Sequence, residues 1–103
     1  MTDQLSEQYR IEAIKWVEKD SAANLLEETK SANLSQMMLA TNADSVSKSE
    51  MLAKASPQWG EYVEKMVEAR RQANLSKVKL EWIRMRFSEQ QSQEATARAE
   101  RRL

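Results

Sequence analysis

Apolar positions divide the sequence into two long amphipathic segments separated by a short one. In the first segment, about residues 2–40, apolar side chains recur every three or four residues, which is the period of one helix face. The pattern weakens around Ser21, so this segment forms either one long helix or two helices that meet near residue 20. We predict one helix, with Thr2 or Asp3 as its N-cap.

A short helix is predicted after the first segment. The run from Asn42 to Ser45 is rich in residues that form turns and helix caps. Ser47 and Glu50 then have the spacing of a capping box, in which the two side chains bind each other's backbone amides. This pattern predicts a short connecting helix over 46–55.

Ser56 and Pro57 indicate the start of a third helix. Proline is tolerated at the first helical position, and the preceding serine can accept a hydrogen bond from a free amide. Apolar residues then alternate steps of three and four as far as Phe87, which predicts a long helix over 57–88. Few apolar residues follow, so we predict that 89–103 is a polar tail, either helical or frayed.

The two long segments have similar lengths and can lie side by side. We therefore predict an all-α fold in which they form a long antiparallel helical hairpin, coiled-coil-like, with the short helix as the connection. A single domain over 1–103 is expected at this size. One glycine and one proline are too few for the turns of a β-rich fold. Further apolar residues widen the seam of the third helix: Val63, Val67, Val78, Trp82 and Met85.

The residue types that are missing exclude several kinds of chemistry. The chain has no cysteine and no histidine, so disulfides, zinc sites with those ligands and triads with a histidine base are excluded. We predict a non-enzymatic protein with no cofactor, no metal ion and no small-molecule substrate. No apolar run approaches the ~20 residues of a membrane span, so we expect no membrane partner and a cytoplasmic location in a bacterial host.

The neutral net charge conceals two different halves. Residues 1–56 carry nine acidic and six basic side chains, whereas residues 57–103 carry seven acidic and ten basic ones. Basic groups beside an aromatic ring suit nucleic acid, because cations neutralise phosphates and an indole can stack on a base. The candidate nucleic-acid or partner-binding residues are Arg70, Arg71, Lys77, Lys79, Trp82, Arg84 and Arg86.

A structural interpretation of the same residues stays open. The basic side chains can face acidic ones across the hairpin or across a homodimer, and the large aromatic residues can fill the core. The acidic candidates are Glu12, Glu18, Glu27 and Glu28. The aromatic core candidates are Trp16, Trp82 and Phe87.

The C-terminal quarter of the chain resembles a known group of proteins. Residues 77–87 read KVKLEWIRMRF and are followed by Ser92 and by ATARAER at 95–101. This pattern resembles small helical proteins that phages and prophages encode among genes for DNA recombination. The resemblance implies an accessory role in that genetic setting and no particular reaction.

These patterns predict an interaction protein that acts on a protein or nucleoprotein partner in DNA metabolism. In one version the basic third helix contacts DNA or RNA directly. An alternative is an inhibitor of a host nucleic-acid-targeting defence complex, comparable to anti-CRISPR proteins. Another alternative is a structural homodimer, a four-helix bundle whose interface includes Leu80, Ile83 and Phe87.

Overall fold

The computed structural model describes the backbone of residues 2–102 and the side chains of residues 4–102. The helices are α1 (Thr2–Glu28), α2 (Lys30–Ala40), α3 (Val46–Lys54) and α4 (Pro57–Arg102). No strand occurs in this range, and α1 lies antiparallel to α4, with Glu12 opposite Ser76 and Leu26 opposite Tyr62. The prediction of an all-α antiparallel hairpin is therefore confirmed. The predicted N-cap, Thr2 or Asp3, concerns side chains outside the described residues.

The first segment is interrupted at Thr29 rather than near residue 20. The Thr29 hydroxyl donates to the Leu25 carbonyl oxygen at 2.7 Å, and the Tyr62 hydroxyl of α4 donates to the Leu26 carbonyl oxygen. Thr29 itself has φ −91° and ψ 3°, outside the values of a regular α-helix. The single helix predicted over 2–40 is therefore two helices, α1 and α2.

The N-cap of α3 is Ser45 rather than Ser47. Ser45 has an extended backbone, and its hydroxyl accepts a hydrogen bond from the Lys48 N–H at 3.2 Å. Ser47 lies inside the helix, so the capping box expected with Glu50 does not form. The turn before α3 contains Asn42 at φ 54°, a left-handed conformation that asparagine adopts more readily than most residues.

α4 begins at Pro57, where the Ser56 hydroxyl accepts a hydrogen bond from the Trp59 N–H at 3.3 Å. The helix continues through residues 89–102, the predicted polar tail, and Leu103 lies outside the described residues. At 1.5 Å per residue, α4 is roughly 70 Å long, compared with roughly 40 Å for α1. The C-terminal end of α4 therefore extends beyond α1, and the chain measures 84 × 17 × 17 Å.

Small side chains form most of the seam between α1 and α4. Ala23 and Ala73 are completely buried there, and Ile83 is the largest buried apolar residue among those described. Glu12 and Ser76 are buried as well, and the Ser76 hydroxyl donates to the Glu12 carboxylate at 2.9 Å. Half-buried larger side chains, among them Trp16, Leu80 and Phe87, flank these positions.

Candidate functional site

Arg70 is bound to α1 by several hydrogen bonds. Its guanidinium donates to the Glu27 carboxylate at 2.8 and 2.9 Å, to Asp20 at 2.7 Å and to Asn24 at 2.6 Å. The hydrogen bonds from Arg70 hold the pKa of Glu27 below its ordinary value, and the two carboxylates raise the pKa of Arg70. Arg70 therefore joins the two long helices, in agreement with the structural interpretation.

Arg71 and Lys79 also have acidic neighbours within the chain. Arg71 lies 3.2 Å from Glu68, one turn earlier on α4, and both side chains are exposed. A hydrogen bond from Gln72, together with the Arg71 charge, holds the pKa of Glu68 below its ordinary value. Lys79 Nζ lies 3.6 Å from the buried carboxylate of Glu12. The Arg71 and Lys79 side chains are both 62% exposed, so both cations remain accessible to a partner.

Lys77 and Arg84 lie seven residues apart on the side of α4 that borders α1. Within the described residues, neither has a carboxylate oxygen within 4.0 Å. Both border a groove between α1 and α4 with two adjoining compartments of about 290 and 170 Å³, which share Tyr9 and Arg84. We call it the cationic groove, lined by Leu5, Ser6, Tyr9, Trp16, Lys77, Leu80, Glu81, Arg84 and Phe87.

The cationic groove combines an apolar floor with charged walls. Trp16 and Phe87 are half-buried in it, and Tyr9 is exposed. Glu81 offsets one of the two cations, which leaves the lining with a net charge of +1. A groove of this kind can receive a segment that carries apolar side chains and acidic groups, because the charges orient the segment and the floor covers its apolar part.

A second surface of α4 faces away from α1. We call it the outer stripe, and its members are Leu75, Val78, Trp82 and Met85. These side chains are 49–62% exposed, so the prediction that Trp82 fills the core is wrong. The prediction that Val67, Val78 and Met85 widen the seam is wrong as well, because Val67 is also exposed. Helical spacing places the outer stripe on the side of α4 away from Ala73 and Ile83, which are buried against α1. The Arg86 guanidinium carbon lies 5.1 Å from the Trp82 ring centroid, within the range of a cation–π contact.

The seven candidate residues lie on different faces of α4 and do not form one site. Lys77 and Arg84 share the cationic groove, whereas Trp82 and Arg86 lie at the outer stripe. The α1 residues of the groove were not among the predicted binding residues, and Trp16 was predicted only as a core residue, because their place beside α4 depends on the register of the hairpin. Their helical spacing was the available signal, and it indicated only a buried face.

The predicted homodimer interface lies on the α1 side of α4. Ile83 is buried in the seam, and Leu80 and Phe87 line the cationic groove. Ile83 is therefore covered by the chain's own α1, whereas Leu80 and Phe87 are half-buried in the open groove.

The described residues contain neither a metal-binding cluster nor a membrane span. Over the part of the chain that the structure describes, acidic side chains form no group of three or more that could hold a metal ion. None of the helices within residues 2–102 combines the length and the apolar content that a bilayer crossing requires. Comparisons with protein-family models, with curated proteins and with solved structures give no match for this chain.

Proposed function

We propose that this chain is a non-enzymatic helical interaction protein that binds a protein or nucleoprotein partner at the cationic groove. One observation carries the proposal: Lys77 and Arg84 flank an apolar floor, and neither has a carboxylate oxygen within 4.0 Å among the described residues. Unpaired cations attract an acidic partner, and the floor provides apolar area to bury. The complementary surface is acidic and carries exposed apolar side chains.

The setting of this interaction follows from the C-terminal quarter of the chain. Residues 77–101 resemble phage and prophage proteins encoded among DNA-recombination genes, which supports a partner in DNA metabolism in the bacterial cytoplasm. Lys77 and Arg84 lie within that same stretch of sequence. The proposed binding residues and the resemblance therefore coincide on one helix.

Affinity capture from a bacterial host extract tests this proposal. We expect the wild-type chain to retain a partner in a fixed ratio and the Lys77→Glu/Arg84→Glu variant to lose it. Arg98→Glu/Arg101→Glu is the matched control, because it makes the same charge change on exposed positions of α4 outside the groove. Retention by the groove variant, or equal loss from both variants, would contradict binding at the cationic groove.

Direct nucleic-acid binding by α4 is a second candidate function. It is favoured by the exposed indole of Trp82 beside Arg86, an arrangement that can stack on a base while cations contact phosphates. Electrophoretic shifts with single-stranded DNA, double-stranded DNA and RNA test it at low ionic strength. Retention that falls steeply with salt and is lost in Arg84→Glu/Arg86→Glu supports this function. The absence of any retention excludes it.

A further inference from the structure

The outer stripe is an apolar seam without a covering helix in the single chain. Leu75, Val78, Trp82 and Met85 are separated by steps of three, four and three, the heptad spacing that directs side chains toward a neighbouring helix. α1 packs against the opposite side of α4, where Ala73 and Ile83 are buried, and cannot reach this face. The second amphipathic face of α4 therefore has no partner within the described residues.

The outer stripe is complementary to itself when a second copy of α4 runs in the opposite direction. A two-fold axis beside Leu80 places Leu75 opposite the partner's Met85. The same axis places Val78 opposite the partner's Trp82. The Val78–Trp82 layer pairs a small side chain with a large one, the Leu75–Met85 layer pairs two of similar size, and symmetry repeats both layers on the other side of the axis. The result is four apolar layers over about three helical turns.

Charges at the two ends of the stripe select this orientation. The positions that continue the heptad spacing are Arg71 on one side and Glu89 on the other. In the antiparallel arrangement Arg71 faces the partner's Glu89 at both ends. A parallel arrangement would instead place arginine against arginine and glutamate against glutamate, which is unfavourable. The present contact of Arg71 with Glu68 is exposed and does not prevent this pairing.

Charged residues also flank the stripe. Lys79 lies close to the proposed axis, and its own Glu12, 3.6 Å away, offsets its charge. Arg86 lies on the same flank and covers part of the Trp82 ring. Glu81 lies on the other flank and lines the cationic groove. The four apolar layers therefore have polar edges, as expected for an interface that has water on both sides.

We propose that two copies of this chain associate through the outer stripe, with their α4 helices antiparallel and with Arg71–Glu89 pairs at both ends. The occupant of this face is a second copy, because spacing and charge are both self-complementary. This inference does not depend on the proposed function, since Lys77 and Arg84 lie about a third of a turn away around α4. The dimer leaves the cationic grooves of both copies open.

Sedimentation equilibrium of the full chain tests the association. We expect a mass of two chains for the wild type and at least about a 100-fold weaker dimer for Trp82→Glu, because symmetry places two carboxylates in the apolar layers. Val67→Glu is the matched control, with a similarly exposed apolar residue of α4 outside these layers. Circular dichroism checks that both variants remain helical. A wild-type monomer at all concentrations, or a Trp82→Glu variant as dimeric as the control, would overturn the proposal.

Oxidative crosslinking tests the antiparallel register, and the absence of native cysteine makes the result specific. In Leu75→Cys/Met85→Cys, each new thiol faces one from the other chain, so oxidation yields a covalent dimer. Each single variant places its two thiols far apart and yields none. Crosslinking by the single variants would show a parallel dimer and overturn the proposed orientation.

A charge exchange provides an independent test of the end pairs. Arg71→Glu alone places two glutamates together at both ends and weakens the dimer, and Arg71→Glu/Glu89→Arg restores it. Failure of the double variant to recover at least part of the lost affinity would show that these residues do not face each other. The Lys77→Glu/Arg84→Glu variant changes only the cationic groove, so we expect it to dimerise like the wild type. Its dimerisation tests this inference separately from the proposed function.

Discussion

Alanine at two positions sets how closely the long helices approach. Ala23 and Ala73 are 0% exposed, so other atoms of the protein surround both methyl groups. In a closely packed interior, added volume forces other atoms to move.

Ala73→Leu is expected to lower the free energy of unfolding by about 1–3 kcal/mol, because the longer side chain has no cavity to enter. Ala99→Leu, the same substitution at an exposed position of α4, should change it by less than about 0.5 kcal/mol. Urea denaturation followed by circular dichroism measures both values. Equal effects at the two positions would show that the seam at Ala73 is not closely packed.

The Arg70–Glu27 contact makes stability depend on pH in the acidic range. Arg70 holds the folded-state pKa of Glu27 below its ordinary value of 4.5. The stabilisation is therefore present above pH 4.5 and is lost as the pH falls through the lower folded-state pKa. We expect Glu27→Gln to melt below the wild-type temperature at neutral pH and to converge with it in strong acid. Thermal melts across this pH range measure the difference.

The neighbouring Glu28 supplies the control for this experiment. Glu28 has no ion pair among the described residues, so Glu28→Gln should follow the wild-type curve at every pH. A gap between wild type and Glu27→Gln that does not change with pH would contradict the role of the charged carboxylate.

At the level of the helices, the junction between α1 and α2 depends on α4. The Tyr62 hydroxyl binds the Leu26 carbonyl oxygen and lies 3.2 Å from the Thr29 hydroxyl. The Tyr62 ring also stacks on Trp59, with centroids 5.8 Å apart, which fixes its position near the start of α4. A side chain from the opposite helix therefore contacts the junction at Thr29.

Tyr62→Phe removes this hydroxyl and keeps the ring. We expect a loss of about 0.5–1.5 kcal/mol in the free energy of unfolding, the usual net contribution of a hydrogen bond. Tyr9→Phe is the matched control, because no hydrogen bond to the Tyr9 hydroxyl occurs among the described residues. Chemical denaturation distinguishes the two variants, and an unchanged Tyr62→Phe protein would mean that this contact does not stabilise the junction.

Local sequence signals were sufficient for some of these features and not for others. Pro57 fixes its own backbone angle and Ser56 caps the helix from one residue away, so the start of α4 was predictable. The interruption at Thr29 lies against Tyr62, 33 residues later, and the groove forms where Tyr9 lies beside Arg84. Such features depend on the register between α1 and α4, which periodicity alone does not determine.

At the scale of the whole molecule, the end of α4 has no counterpart in α1. Glu12 of α1 lies opposite Ser76 of α4, and the first turns of α1 lie near Phe87 and Gln90. Residues 94–102 of α4 project beyond that end of α1. Removal of residues 94–103 should therefore leave the melting temperature nearly unchanged. The helical signal in circular dichroism should fall by roughly a tenth, in proportion to the residues removed. A large drop in melting temperature would show that this end stabilises the hairpin.

The elongated shape also affects how the size of the particle is measured. With extents of 84 and 17 Å, the chain has an axial ratio of about five. A rod of this ratio experiences more friction than a sphere of equal mass, so one chain elutes early from a gel-filtration column and imitates a heavier globular particle. Calibration against globular standards would therefore assign a single chain the mass of two chains, whereas light scattering measures the mass independently of molecular shape.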